Sequence, residues 1–155
     1  MTMNEPALLE ELSHHLRKQQ FVNMATSTPD GKPHVSPKLY FKNEGSVIYL
    51  IEQMKDSAMK NVRANPFVAV STFDIKEVTG YFVYGRAEIT DQGPENKSLL
   101  EEWKSKQTKV VADQVVEDVR GEKNIKSIKL AFLPPIAFYK ISIDSIEKLD
   151  ANVFA

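Results

Sequence analysis

Two short apolar runs, residues 47–51 (Val-Ile-Tyr-Leu-Ile) and 67–70 (Phe-Val-Ala-Val), are separated by a polar loop and about two turns of helix-forming sequence. This arrangement limits the fold more than any other feature of the chain. Both runs are rich in β-branched and aromatic residues and are short enough to be strands of a buried sheet. Between them, Asp56 or Ser57 can cap a helix over residues 58–64 whose inner face is Met59 and Val62, with Ala58 beside them. Asn65-Pro66 stops that helix, because the residue before proline is pushed out of the helical region. A strand that runs into a capped helix start presents backbone N–H groups and the positive end of a helix dipole, which suits an anion such as phosphate.

The segments on either side read as a run of antiparallel strands. Residues 6–19 form an amphipathic helix, with Pro6 in its first turn and Leu8, Leu9, Leu12 and Leu16 at spacings of three and four. The adjacent His14 and His15 cannot share a metal as an i, i+4 pair would, and they read as a solvated helix flank. Residues 21–28 are a strand. Pro29-Asp30-Gly31-Lys32 is a turn, because proline presets φ and glycine tolerates the left-handed region, and residues 33–42 return as the second strand. Asn43-Glu44-Gly45 turns the chain again into 47–51, giving three consecutive antiparallel strands. A charged loop over 74–78 then joins strand 67–73 to a long strand, 79–89. Gly80 and Gly85 within that strand mark a bulge or the close approach of another backbone.

Pro94 starts a helix with the apolar stripe Leu99, Leu100 and Trp103. Val111, Val115 and Val119 extend the helical spacing toward Gly121, so residues 94–125 read as a helical excursion on the surface. Two more strands are expected at 128–132 and 136–143, on either side of Pro134-Pro135. The elements sum to a mainly β fold, an antiparallel barrel of six to seven strands with flanking helices, in a single domain over residues 1–155.

Composition excludes several classes of function. The 155 residues carry 20 basic and 21 acidic side chains, so no nucleic-acid partner is expected. With no cysteine, disulfides, thiolate metal sites and a cysteine nucleophile are excluded, and no other metal-ligand pattern is present. Glu5, Glu10 and Glu11 occupy the region where a signal peptide needs a basic start and an apolar run. No apolar stretch reaches membrane-spanning length, so the expected setting is cytoplasmic and away from membranes.

Three strings occur in a telling order. Ala25-Thr26 is followed by Asp30-Gly31-Lys32-Pro33-His34-Val35. Residues 47–51 are followed by Asn61-Val62-x-x-Asn65-Pro66-Phe67-Val68-Ala69-Val70, and Gly85-Arg86-Ala87-Glu88-Ile89 lies in the long strand. In this order they resemble the pyridoxamine 5'-phosphate oxidase-like family, the FMN-binding split β-barrels, over roughly residues 20–90, with weaker agreement to 143.

The resemblance implies a homodimer with FMN held at its interface, acting as an oxidoreductase on a small-molecule substrate. The alternative on the same barrel is a non-catalytic protein holding flavin, haem or F420. Carried over by position, Ser36, Pro37 and Lys38 fall on the second strand, which contacts the cofactor. Ile51, Glu52, Gln53, Lys55 and Ser57 fall on the phosphate-binding stretch, where Ser57 matches a phosphate-donating hydroxyl, and Asn61 matches a helix asparagine. The family pattern often has threonine where this chain has Glu52, and a basic residue near Asp56 or Ala58. A carboxylate about 4–5 Å from a phosphate charge costs on the order of 3–4 kcal/mol at an effective dielectric constant near 20. Lys38, Lys55, Lys60 and Arg63 are the cations available to compensate.

Because a flavin carries its own redox chemistry, no catalytic residues are assigned. His34 reads as a surface or interface residue, and Arg86 as part of an ion pair. Among Tyr40, Tyr49, Tyr81, Tyr84 and Trp103, at most one is expected to stack on a ligand. Residues 148–155 contain no arginine or histidine, unlike the family's true oxidases, so vitamin B6 oxidation is not expected.

Overall fold

A computed structural model of the chain describes residues 6–120 and 133–150. Six antiparallel strands close into a barrel: β1 (Phe21–Ser27), β2 (Pro33–Glu44), β3 (Val47–Glu52), β4 (Phe67–Asp74), β5 (Thr79–Thr90) and β6 (Ala137–Asp150). Their order around the barrel is β1-β2-β3-β6-β5-β4, and the pairs Asn23–Ser71, Met24–Val70 and Ala25–Ala69 close the circle. Among the described residues, three helices accompany it: α1 (Pro6–Gln19), α2 (Ser57–Ala64) and α3 (Gly93–Arg120). The expected strand at 128–132 and the expected helix end at Gly121 lie outside the described residues.

Alternation along each strand sorts the side chains into two apolar layers. The lumen is filled by Val22, Met24, Ile48, Leu50, Val68, Val70, Val83, Ile141 and their neighbours. Leu12 and Leu16 of α1 close one mouth of the barrel, and Ala58, Met59 and Val62 of α2 close the other. The opposite face of β3 and β6 packs Tyr49, Ile51 and Phe138 against Leu99 and Trp103 of α3, with Phe41 completing the cluster.

Two bulges set the curvature. Phe41 is the extra residue of β2, since Tyr40 pairs with Leu50 and Lys42 with Tyr49. On β6 the extra residue is Asp144, since Tyr84 faces Ser145 and Gly85 faces Ile143. Gly85 is required there: a Cβ on it would stand 2.2 Å from the Ser142 carbonyl oxygen. Gly80 makes a similar close approach, 2.8 Å from the Thr72 carbonyl oxygen.

β6 runs to Asp150, seven residues beyond its expected end. The Asp144 bulge interrupts the alternation that defined that end, and Ile146 re-enters the core beyond it. His15 also departs from expectation. His14 is exposed, but His15 is buried, its Nε2 2.9 Å from Thr72 Oγ1 and its ring edge-on to Tyr81. α1 therefore presents Ser13 and His15 to the barrel along with its leucines. Among the described residues, no helix is long and apolar enough to cross a membrane.

Candidate functional site

The candidate site lies where β3 runs into α2. Asp56 is the N-cap of α2, with extended backbone (φ −137°, ψ −167°) and Oδ1 accepting the Ala58 N–H at 2.7 Å. A cap of this kind contributes about 1 kcal/mol. Ser57, the alternative cap, is the first helical residue and is exposed.

Asp56 is also tied to the lumen. On β2, Ser36 and Lys38 point inward while Pro37 and Leu39 point outward. On β3, Glu52 shares the inward face of Ile48 and Leu50. Lys38 Nζ lies 2.9 and 2.8 Å from the two Glu52 oxygens and 2.8 Å from Asp56 Oδ2. Lys38 and Glu52 are 3% and 1% exposed, so this is an ion pair in a low-dielectric interior, where each charge depends on the other. The Tyr139 hydroxyl donates to Glu52 Oε2. Burial and the adjacent Glu52 carboxylate push the Tyr139 phenol far above its ordinary pKa, so it stays protonated as a donor.

Two buried polar atoms beside this network have no hydrogen-bond partner among the described residues: Ser36 Oγ and His34 Nε2. Asp56 Oδ1 lies 3.6 Å from His34 Nε2, and the Ser36 hydroxyl adjoins the same carboxylate closely enough to favour its ionised form. Burial opposes ionisation of Asp56, but the bonds from Lys38 and the Ala58 N–H outweigh it and hold the carboxyl below its usual pKa.

Outside the mouth, an open groove of about 410 Å³ is lined by Lys55, Asp56, Met59, Lys60, Arg63, Asp91 and Ile136. Its volume is in the range typical of small-molecule sites. Arg63 Nη2 is held by Asp91 at 2.5 Å, whereas Lys55 and Lys60 have no ion-pair partner among the described residues. The donors on this rim suit a phosphate. The start of α2 does not, because Asp56 already occupies the cap and meets the positive end of the dipole.

The residues singled out from sequence are thus divided among several environments. Lys38 and Glu52 meet in the lumen, with Ser36 beside them, and Asp56 joins them to the groove that Lys55 lines. Ile51 packs in the apolar layer under α3, and Gln53 Nε2 donates to the Leu133 carbonyl at 3.1 Å. Pro37 is exposed on the outer barrel face. Asn61 is buried and donates to Thr26 Oγ1 at 3.1 Å, tying α2 to β1.

Tyr139, Met59, Asp91 and Ile136 were not singled out as site residues. For Asp91 there was no local signal, since it meets Arg63 across 28 positions of sequence. Tyr139 was detectable only as an inward position of β6. Of the five candidate stacking aromatics, Tyr49, Tyr81 and Trp103 are buried, Tyr40 is half-buried and Tyr84 is exposed. Arg86 pairs with Asp144 at 3.3 Å, both exposed. Among the described residues, no group of three or more histidine, aspartate or glutamate side chains could hold a metal ion.

The model of one protein family, described as pyridoxamine 5'-phosphate oxidase, matches residues 8–132. No curated protein matches the chain. Among solved structures, HupZ of Group A Streptococcus superposes with a TM-score of 0.64 at 17% identity, covering 92% of this chain and 94% of that one. An FMN-binding protein of Nostoc punctiforme, described as pyridoxamine 5'-phosphate oxidase-related, gives a TM-score of 0.64 at 13% identity, covering 97% of this chain and 88% of that one. An F420 reductase gives 0.54 at 19% identity, covering 87% and 94%. At these identities the likeness is one of fold.

Proposed function

Because the chain belongs to the pyridoxamine 5'-phosphate oxidase family, we propose that it is an FMN-binding flavoprotein that acts as an oxidoreductase on a small molecule in the cytoplasm. The observation that carries this reading is the groove beside α2, where Lys55 and Lys60 offer two cations with no ion-pair partner among the described residues, and Arg63 a third, held in place by Asp91. These three side chains would hold the cofactor's phosphate, with Met59 and Ile136 giving its ring system apolar contact. Bound FMN would supply the redox chemistry, and the protein's part is binding, orientation and tuning. The Lys38–Glu52–Asp56 network fixes the start of α2, so the wall that carries Met59, Lys60 and Arg63 is held to the barrel.

We also propose that the protein is a homodimer. Among the described residues, α3 covers the outer face of β2 around Leu39 and Phe41, and neither apolar layer extends over the outer face of the 33–37 part of β2 or of β1, β4 and β5. One cross-strand row, Val35–Ala25–Ala69–Tyr84, runs uncharged across all four strands. Val35 at one end of this row, and Phe67 two residues from Ala69 on β4, are 62% and 63% exposed, so large apolar side chains stand on this face. A second copy of the chain would cover this face.

The closed start of α2 favours a second reading, a non-catalytic protein that holds flavin, haem or F420. Visible absorption of the purified protein, followed by FMN titration and light scattering, tests these readings. Flavin bands or a micromolar Kd for FMN, with the mass of a dimer, is the expected result. Reduction of the bound flavin by NAD(P)H or another donor then separates the catalytic reading from the binding one. A Soret band would assign haem instead, and a colourless protein that ignores FMN overturns the flavin reading.

A further inference from the structure

We propose that His34 couples the groove beside α2 to a proton: the groove binds a phosphate-type dianion more tightly when His34 is protonated, and it takes up a proton as it binds. This rests on the reading that the groove holds a phosphate, and it deepens that reading by naming the residue that regulates its affinity. β2 turns His34, Ser36 and Lys38 to one face, and His34 Nε2 is buried there without a hydrogen-bond partner, 3.6 Å from Asp56 Oδ1. Asp56 is also part of the groove's wall. The chain has three histidines, and the other two, His14 and His15, sit on α1 at the opposite mouth of the barrel. His34 is therefore the one imidazole at the α2 mouth.

In either neutral tautomer this contact is poor. With the proton on Nδ1, two acceptors face each other; with it on Nε2, the N–H stands too far from the carboxylate for a good hydrogen bond. Protonation turns the contact into an ion pair. The two side chains are 31% and 29% exposed, so they have room to close the gap, to the roughly 2.7–2.9 Å of a charge-assisted hydrogen bond. Asp56 faces His34 from α2 and Glu52 stands beyond it on β3, both favouring the imidazolium. Lys38, on the same strand as His34, opposes it, as do Lys55, Lys60 and Arg63 from the groove, where Asp91 offsets Arg63. Tyr139 of β6 stays neutral, and Thr26, the β1 partner of His34, carries no charge. A dianion seated on the three groove cations removes their opposition and adds an attraction of its own, so binding favours the proton. By reciprocity, the proton raises the affinity by the same factor.

The test uses the full-length protein with inorganic sulfate as the probe, because sulfate stays doubly charged between pH 8 and pH 5.5 and phosphate does not. Histidine is the side chain that changes charge in this range; carboxylates as a class titrate below it, and lysines and arginines above it. Binding is followed by NMR through the backbone amides of Met59 and Lys60, at constant ionic strength and well below the unfolding temperature. Wild-type affinity for sulfate should rise about three- to tenfold from pH 8 to pH 5.5, the size expected of one charge acting on a dianion through largely water-like surroundings. His34→Gln should lose that rise, and His15→Gln, at the far mouth, should keep it. Calorimetry in buffers of different ionisation heat should show proton uptake when the wild type binds sulfate, and none for His34→Gln. Should His34→Gln fail to fold, the wild type alone decides, because sulfate must move the NMR titration of the His34 ring to higher pH.

Affinity that stays flat or falls with acidity overturns the proposal. So does a rise that survives in His34→Gln, or a ring titration that sulfate does not move. Absence of sulfate binding at every pH overturns the groove reading together with this inference, whereas binding that ignores His34 overturns the inference and leaves the groove reading standing.

Discussion

Lys38 Nζ bridges both oxygens of Glu52, at 2.9 and 2.8 Å, across the adjacent strands β2 and β3 of a largely apolar barrel lumen. The pair sits at the mouth closed by α2, and the third contact, to Asp56, turns an interior ion pair into a clamp on that helix. Glu52 is therefore already satisfied and stands on the inward side of β3. The repulsion expected between Glu52 and a ligand phosphate is reduced twice over, by the neighbouring cation and by the strand wall.

Removing the cation exposes the cost of this arrangement. Lys38→Met should leave Glu52 buried with only a tyrosine hydroxyl for company and destabilise the protein by about 3–5 kcal/mol. Adding Glu52→Gln should restore at least half of that loss, because the amide can still accept from Tyr139 and carries no charge. Urea unfolding of the single and double variants measures both. A single variant within about 1 kcal/mol of wild type would show that the pair is not clamping α2.

At the opposite mouth, His15 gives a pH dependence of known sign. Burial lowers its pKa below the ordinary value of 6.5, because the imidazolium is disfavoured in the interior, although Asp74 opposes the shift. The unfolded chain binds a proton more readily than the folded one, so stability is complete above the unfolded pKa and falls as pH drops below it, levelling off under the folded pKa. Thermal unfolding between pH 8 and pH 5 should show Tm falling from about pH 6.5 downward. His15→Gln should flatten that fall, with Lys18 and Asp74, still paired at 2.8 Å, keeping α1 attached at its C-terminal end. An equal fall in wild type and variant would remove His15 as the cause.

These two mouths mark where sequence reading stops. The hairpins, the Asn65-Pro66 stop and the α2 cap follow from local chemistry, and the described elements begin close to their expected positions. The Lys38–Glu52 contact was only half legible. Counted back from the turn at 43–45, Leu39 would face Glu52; the Phe41 bulge shifts that register by one residue, so that Leu39 faces Ile51 and Lys38 and Glu52 are their next neighbours. The burial of His15 depends on where Thr72 lies, 57 positions away, and the extent of β6 depends on the Asp144 bulge. Local periodicity records neither.

Gly85 should tolerate no side chain. It lies opposite the Asp144 bulge, and a Cβ there would stand 2.2 Å from a backbone oxygen of β6, which cannot rotate away as a side chain could. Gly85→Ala should therefore force the longest strand pair of the barrel apart and cost about 3 kcal/mol, at the upper end of overpacking effects. Gly31, by contrast, has open space at the Cβ position and only its φ of +90° to argue against a side chain. Its alanine variant should lose less. Chemical denaturation midpoints of the two variants give the comparison, and a Gly85→Ala protein as stable as Gly31→Ala would mean that β6 yields where the bulge is drawn.

The groove can be tested through its cations without disturbing the barrel. Lys55 and Lys60 are exposed and have no ion-pair partner among the described residues, so replacing either should leave the unfolding midpoint close to that of wild type. Lys60→Gln should weaken FMN binding by about three- to tenfold, and Lys55→Gln/Lys60→Gln by more, because each removes one attraction to the phosphate. The same interaction predicts a salt dependence, since exposed charges are screened over about 8–10 Å at physiological ionic strength. Wild-type affinity should fall as salt rises, and the double variant's should fall much less. Riboflavin, which has no phosphate, should bind all three proteins alike. If riboflavin loses affinity in parallel with FMN, Lys55 and Lys60 act on the ring system or on the groove's shape, and the phosphate must be held elsewhere.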